Sequence, residues 1–317
     1  MTFAFVQSTP LFTQAAPPEG SIIKDPGFYA AVLGIIGKPD GYSITSADVS
    51  GITVLSIPGR HISDLSGIEF FTAITMIDCC NNQLTTLDVS GNTELTTLYC
   101  DYNQLTALDV SRNTALTLLI CDHNQLDMLD VSRNAGLTLL SCDWNQLTAL
   151  DVSRNIALTG LSCNVNKLAT LDVSHNTKLT SLCYDWNQLT TIDLSHNTAL
   201  KQLHCYENKL TALDVRNAAK LSELKCDYNQ LTTLDVSGNT ELTTLYCAYN
   251  QLAELDINRN TALQLLYCYD NKLTTLDVSR NTGLTKLNCY HNQLAICSRG
   301  ICSWDHKWHG RQSVFAR

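Results

Sequence analysis

Between residues 74 and 294 apolar and polar positions follow one another in a fixed order, L-x-x-L-x-C-x-x-N-x-L-x-x-L-D-V-S-x-N-x-x, plainest in Leu95 to Ala115, LTTLYCDYNQLTALDVSRNTA. The period is 21, and one asparagine series marks it without a break: Asn82, Asn103, Asn124, Asn145, Asn166, Asn187, Asn208, Asn229, Asn250, Asn271 and Asn292. Each period has two apolar groups, for instance Leu95, Leu98 and Cys100, then Leu105, Leu108 and Val110. The two-residue step that ends each group is that of a strand with one buried face. Internal repetition at such a period marks a stacked-repeat architecture. A lone 21-residue turn buries too little to offset the ordering of its backbone, so turns must stack and bury each other's flat ends. The pattern predicts a mostly β repeat solenoid of about 11 turns, with short parallel strands on both sides.

The pattern does not start at Met1. Residues 1–20, MTFAFVQSTPLFTQAAPPEG, read as a leader or a disordered N-terminus. A secretory leader with cleavage near Ala15 or Ala16 lacks the usual positive start, because the first lysine is Lys24. Residues 21–73 form a cap. Asp25-Pro26 reads as a helix N-cap and first residue, and Phe28, Val32, Ile35 and Ile36 have helical spacing. Lys38-Pro39-Asp40-Gly41 ends that helix, and Ser46-Ala47-Asp48 opens a short turn. Ile52, Leu55 and Ile57 then give a degenerate first strand, with Arg60 where the repeat has asparagine. Asp40-Gly41 looks like part of a calcium loop, but the preceding ligand positions hold Ile36 and Lys38. Residues 295–317 abandon the pattern as an irregular tail. All six prolines lie at or before Pro58, which independently sets the array apart from what precedes it.

The string L-x-x-L-x-C-x-x-N-x-L is the leucine-rich repeat signature. Each unit resembles the bacterial 21-residue class, in which two half-signatures are nested, here LTTLYCDYNQ and LTALDVSRNT. FYAAVLGIIG, SITSADVSGITVLS and SDLSGIEFFTAIT resemble the N-terminal caps of internalin-like bacterial surface proteins. The resemblance covers about residues 25–294. It implies a leucine-rich repeat fold with a small helical cap, surface location and adhesion; it names no ligand.

Composition narrows the alternatives. A net charge of −9 argues against nucleic acid, whose binding needs clustered lysine and arginine, and no apolar run is long enough to cross a membrane as a helix. Ten cysteines (Cys79, Cys100, Cys121, Cys142, Cys163, Cys205, Cys226, Cys247, Cys268, Cys289) share one core position. Stacked strands give them parallel Cβ vectors, whereas a disulfide needs converging ones, so they read as buried thiols. Cys183 and Cys80 are off that register and point outward, which would make them accessible to reagents. In the tail, Cys297, Cys302, His306 and His309 have zinc-ligand chemistry at crowded spacing; a Cys297–Cys302 disulfide and a tail with no site are the alternatives. No cofactor is expected.

Residues 21 apart become columns. The second asparagine series, Asn92 to Asn281, serves the other turn and fails once, at Ala218, where the least regular loop is expected. Asp88, Asp109, Asp130, Asp151, Asp172, Asp193, Asp214, Asp235, Asp256 and Asp277 form an acidic column beside Arg112, Arg133, Arg154, His175, His196, Arg259 and Arg280. We read these carboxylates as bonded to turns and paired with arginine. Ser174-His175 and Ser195-His196 are adjacent in sequence and expected on opposite faces, so no enzymatic activity is assigned to them. Asn164, by contrast with Asn166, is expected to be exposed and dispensable.

The first half of each turn exposes a different set: Tyr99, Asp101, Tyr102, Asp122, His123, Asp143, Trp144, Asp185, Trp186, His204, Tyr206, Asp227, Tyr228, Tyr246, Tyr249, Tyr267, Tyr269 and Tyr290. Nine of the twelve tyrosines and both tryptophans of the array are on this face. The scaffold does not need that asymmetry, and Tyr and Trp carry interface energy. The expectation is a non-enzymatic protein that binds a protein or glycan through this aromatic–acidic face, extracellular or on the cell surface, in adhesion or host interaction. The alternative is an intracellular or periplasmic scaffold.

Overall fold

The structure, a computed structural model, describes residues 16–294 and the strand Val314–Phe315. Its first element is helix α1 (Pro26–Ile36). Asp25 caps it, Oδ1 accepting from the backbone N–H of Gly27 and Phe28 at 2.8 and 3.0 Å, while Oδ2 accepts from Ser63 N–H at 2.9 Å. One carboxylate thus starts the helix and ties it to the first turn of the solenoid. Gly27 is required by close approach: a Cβ there would lie 2.9 Å from the Arg60 carbonyl oxygen. Phe28 stacks on Phe71 at 5.9 Å, covering the apolar end of the array. Gly37, in the left-handed region, ends α1, and the short helix α2 (Ser46–Val49) precedes strand β1 (Val54–Ser56).

From β2 (Met76–Asp78) a three-residue strand recurs every 21 residues as far as β12 (Lys286–Asn288), each parallel to and in register with the last. β13 (Val314–Phe315) pairs antiparallel with β12. The core is the one the pattern predicts: Leu95, Leu98, Cys100, Leu105 and Val110 are fully buried and Leu108 nearly so. Tyr184 takes the core place of the missing ladder cysteine and is also fully buried.

The second side does not form strands. Among the described residues it contributes one isolated bridge, Asp88 to Asp109. Side chains have taken over the groups a ladder would use. Asp88 Oδ1 accepts from Ser90 N–H at 2.9 Å, and the equivalent bond recurs down the column. Asn113 Nδ2 donates to the carbonyls of Val89 and Asn92. Asparagine and aspartate divert the backbone into turns where a ladder would otherwise continue.

Both asparagine series are buried except at the last turn, where Asn292 is half-buried. In the first, Asn103 Oδ1 accepts from Leu84 N–H at 3.0 Å and Nδ2 donates to Cys79 and Cys100 carbonyls, joining its own turn to the preceding one. The loop at Ala218 is as regular as the others: Ala218 N–H donates to Val215 and Leu221 N–H to Ala218, both at 3.0 Å. Those backbone bonds close the turn without an asparagine of its own, and Asn239 Nδ2 of the next turn donates to the Val215 and Ala218 carbonyls, so the expected irregularity does not occur. The arginine pairing of the acidic column is also corrected. Among the described residues Arg112, Arg133 and Arg154 reach no carboxylate within ion-pair distance, whereas Arg216, outside the expected set, pairs with Asp214 at 2.7 Å.

Candidate functional site

Each first half-turn presents four outward positions, represented by Thr97, Tyr99, Asp101 and Tyr102. The first two flank Leu98 on the strand. The last has a conformation that the sequence does not announce. Asn81, Tyr102, His123, Trp144, Val165, Trp186, Glu207, Tyr228, Tyr249, Asp270 and His291 all have φ between 49° and 56°. This left-handed region favours glycine or asparagine and disfavours bulky and especially β-branched side chains. The turn into the buried asparagine requires it, and rings occupy it all the same.

Those rings form runs. Tyr102, His123 and Trp144 stack at 4.1 and 5.1 Å with interplanar angles of 14° and 13°. Trp186, Tyr206, Tyr228, Tyr249, Tyr269 and Tyr290 form a second run with centroid spacings from 4.0 to 5.5 Å, zigzagging between the third and fourth positions. Tyr246 and Tyr267 stack separately at 4.6 Å. Trp144 and Trp186 remain about half exposed. The structure therefore brings most of the sequence-predicted aromatics into two ladders. Tyr99 lies on the strand beside them, half-buried.

The acids of this face are not freely displayed. Asp122 Oδ1 accepts from Asp143 N–H, Asp143 Oδ1 from Asn164 N–H, Asn164 Oδ1 from Asp185 N–H and Asp185 Oδ1 from Tyr206 N–H, each at 2.7 Å; Asp227 Oδ1 accepts from Ala248 N–H at 2.8 Å. The strand pairing leaves that N–H without a backbone acceptor, and the side chain one turn earlier supplies it. Two expectations are corrected. Asp227 is buried rather than exposed. Asn164 is half-buried and bonded, Nδ2 also donating to Asp143 and Ser162, so it is no neutral control for Asn166. Burial lifts the carboxyls of Asp122 and Asp185 to about 6 and of Asp227 to about 7, and raises Asp101. The patch is less negative near neutral pH than a count of its acids implies.

His204 joins an ion cluster that the sequence reading missed. Glu223 accepts from His204 Nε2 at 3.1 Å and Lys225 Nζ at 2.6 Å, and Lys225 lies 5.8 Å from the centre of the Tyr246 ring. Its signal was available: Glu223 and Lys225 flank Leu224 just as Thr97 and Tyr99 flank Leu98.

Other sequence candidates resolve differently. Ser174 Oγ contacts His175 Nδ1 at 3.2 Å and Ser195 Oγ contacts His196 Nδ1 at 3.0 Å, so these neighbours do meet, because they lie in a turn and not on a strand. Both pairs are exposed local contacts. Cys297, Cys302, His306 and His309, and the leader up to Ala15, lie outside the described residues. Cys79, Cys100, Cys121, Cys142, Cys163, Cys205, Cys226 and Cys247 are free, buried thiols. From Cys79 to Cys226 their sulfhydryls point at the next turn, as Cys79 Sγ does at the Tyr99 carbonyl, 3.4 Å away.

Cys183 and Cys80 face outward but are half-buried. Burial pushes the Cys183 thiol up to about 11 and raises that of Cys80. A bulky alkylating reagent at pH 8 should therefore modify these two slowly in the native protein and the eight ladder thiols only after unfolding. Peptide mapping reads this directly; rapid native labelling of Cys142 or Cys163 would contradict the inward phase of the ladder.

No family model matches the sequence, and no curated protein matches it either. Solved structures do. The functional domain of InlJ from Listeria monocytogenes, described as including a cysteine ladder, is 39% identical over 88% of this chain, with a TM-score of 0.84. The chain spans 63% of the length of that domain. A leucine-rich repeat protein from Leptospira interrogans is 24% identical over 80% of this chain and 71% of its own, with a TM-score of 0.73. The internalin InlF from Listeria monocytogenes is 22% identical over 90% of this chain and 94% of its own, with a TM-score of 0.70. The last two show the fold.

Proposed function

We infer that this chain, a leucine-rich repeat solenoid of the 21-residue class with an internalin-like N-terminal cap, is a non-enzymatic binding protein that works at the outer surface of a bacterial cell. Its aromatic strand face takes a protein or a glycan, in adhesion or in contact with a host. One observation carries the reading. Six rings from Trp186 to Tyr290 run in contact along one face, several in a backbone conformation that aromatic residues ordinarily avoid. Large rings with a polar edge are the usual anchors of interfaces, and here they hold places that the scaffold would fill more cheaply with glycine or asparagine. Among the described residues no helix is long and apolar enough to cross a membrane.

A glycan and protein array identifies the ligand; two variants then locate its site. Alanine at Trp144, Trp186, Tyr206 and Tyr228 should fold and lose binding by at least about 100-fold. Alanine at Asp151, Asp172, Asp193 and Asp214, in the second half-turns, should leave binding intact in the folded protein. The reverse outcome moves the site to the opposite side. A scaffold role inside the cell or periplasm is the second reading, favoured by the eight reduced thiols. Protease digestion of intact cells that express the protein separates the two: degradation supports the surface, protection the scaffold.

A further inference from the structure

We propose that the recess at Val165, between Trp144 and Trp186, holds the guanidinium of an arginine side chain from a protein partner. This rests on the strand face being the binding surface and names what one place on it takes.

The turn at Val165 carries the smallest outward residues of the array, Gly160, Ser162, Asn164 and Val165. Val165 interrupts the rings of the left-handed column, with Trp144 one turn before it and Trp186 one turn after. A β-branched residue is among the worst occupants of φ 52°, and the neighbouring turns put rings there. In this register two half-exposed indoles, taken as the walls of a slot, flank a short apolar side chain, with Ser162 and Asn164 beside it. Two turns separate the walls, roughly 10 Å at the spacing of stacked strands.

The chain itself shows what such an interval admits. One stretch earlier, the planar ring of His123 lies between Tyr102 and Trp144, 4.1 Å from one centroid and 5.1 Å from the other, in stacked orientation. That arrangement places a flat basic group between two aromatic faces beside Asp101 and Asp122. At the Val165 slot Trp144 offers its other face, Asp143 and Asn164 take the places of Asp101 and Asp122, and Asp185 follows one turn on. Asp185 accepts one backbone N–H through Oδ1. A guanidinium is flat, stacks on indole, and donates in a fork that matches a carboxylate. A lysine ammonium is tetrahedral and strongly hydrated, and gains less from flat aromatic walls. Asp143 is taken up on both oxygens by Ser162 and Asn164, so the carboxylate left for the guanidinium is Asp185, through Oδ2.

Titration of the full chain with N-acetyl-arginine amide, followed by tryptophan fluorescence, tests the slot alone. Saturable binding with a dissociation constant of about 1 mM is expected for one small group. N-acetyl-lysine amide and N-acetyl-citrulline amide, the latter flat but neutral, should bind at least about fivefold more weakly. Val165→Tyr puts a ring in the recess, as the chain already does at Tyr228, and should lose the arginine probe at least about tenfold with an unchanged urea midpoint. Should that variant misfold, Trp186→Ala supplies the same readout. Equal binding of the three amides, or full binding by Val165→Tyr, overturns the proposal. An acetylated Gly-Gly-Arg-Gly-Gly amide that binds no better than free arginine assigns the slot to a small guanidine compound and overturns the protein partner. If the amides fail to bind while the four-alanine variant still loses its macromolecular ligand, the slot falls and the face stands.

Discussion

Asn166→Ala should cost about 2–4 kcal/mol of stability, and Asn155→Ala only about 1. Both side chains are buried asparagines 21 residues from identical neighbours, so composition does not distinguish them. Their bonds do. Asn166 Oδ1 accepts from Leu147 N–H at 3.0 Å, and Nδ2 donates to the carbonyls of Cys142, Cys163 and Asn164. Truncation leaves the buried Leu147 N–H unpaired at its full desolvation penalty, while the three carbonyls each keep one other donor, Asn145 Nδ2, Asn187 Nδ2 and the Trp144 N–H. Asn155 Nδ2 donates to Val131 and Asn134 carbonyls, but its Oδ1 has no partner among the described residues. Removing that side chain abolishes two bonds and also one orphan acceptor. The chain contains its own control: Ala218 occupies the equivalent position with the turn geometry unchanged. Urea unfolding of the two variants, compared at constant slope, checks the ranking; equal losses would falsify it.

The same comparison shows what a sequence can disclose. The core and the buried asparagines were legible because a 21-residue period leaves one register in which Leu98, Cys100 and Asn103 all face inward. The aromatic face followed from that register, since whatever flanks Leu98 must face out. The left-handed column was not legible. Glycine or asparagine at residue 102 would have announced the turn, whereas Tyr102 and Trp144 disguise it. Nor was the ladder through Asp122, Asp143, Asn164 and Asp185. It exists because the backbone turns out of the sheet after Cys100 and leaves one N–H per turn without a carbonyl, a defect that appears only once the strand is known to stop there. Strands on the second side were expected from Leu108 and Val110, which have the correct two-residue step. Asp109 and its equivalents capture the N–H of the serine two residues on, and local capture won over pairing between turns.

Those two sets of aspartates act in opposite directions on stability, and the larger effect belongs to Asp227. Its carboxyl is buried and lifted to about 7 by loss of water. A raised pKa means the folded chain binds its proton before the unfolded chain does. The contribution is fully present below the ordinary aspartate range and is lost as pH rises through about 7. Asp122 and Asp185 behave likewise through about 6. The acids from Asp88 to Asp235 in the second half-turns have lowered pKa values, through bonds to the residue two further on. Their contribution is present above the ordinary range and lost as pH falls through the lowered values. The protein should therefore be most stable at mildly acidic pH and weaken toward pH 8. Asp227→Asn keeps an oxygen for the Ala248 N–H and deletes the charge, an exchange the chain already makes at Asn164. The variant should gain about 2–4 kcal/mol at pH 8 and little at pH 5. Urea midpoints at the two pH values decide it: a variant whose stability falls between pH 5 and pH 8 as steeply as the parent's would show that the buried carboxylate at 227 is not what weakens the fold.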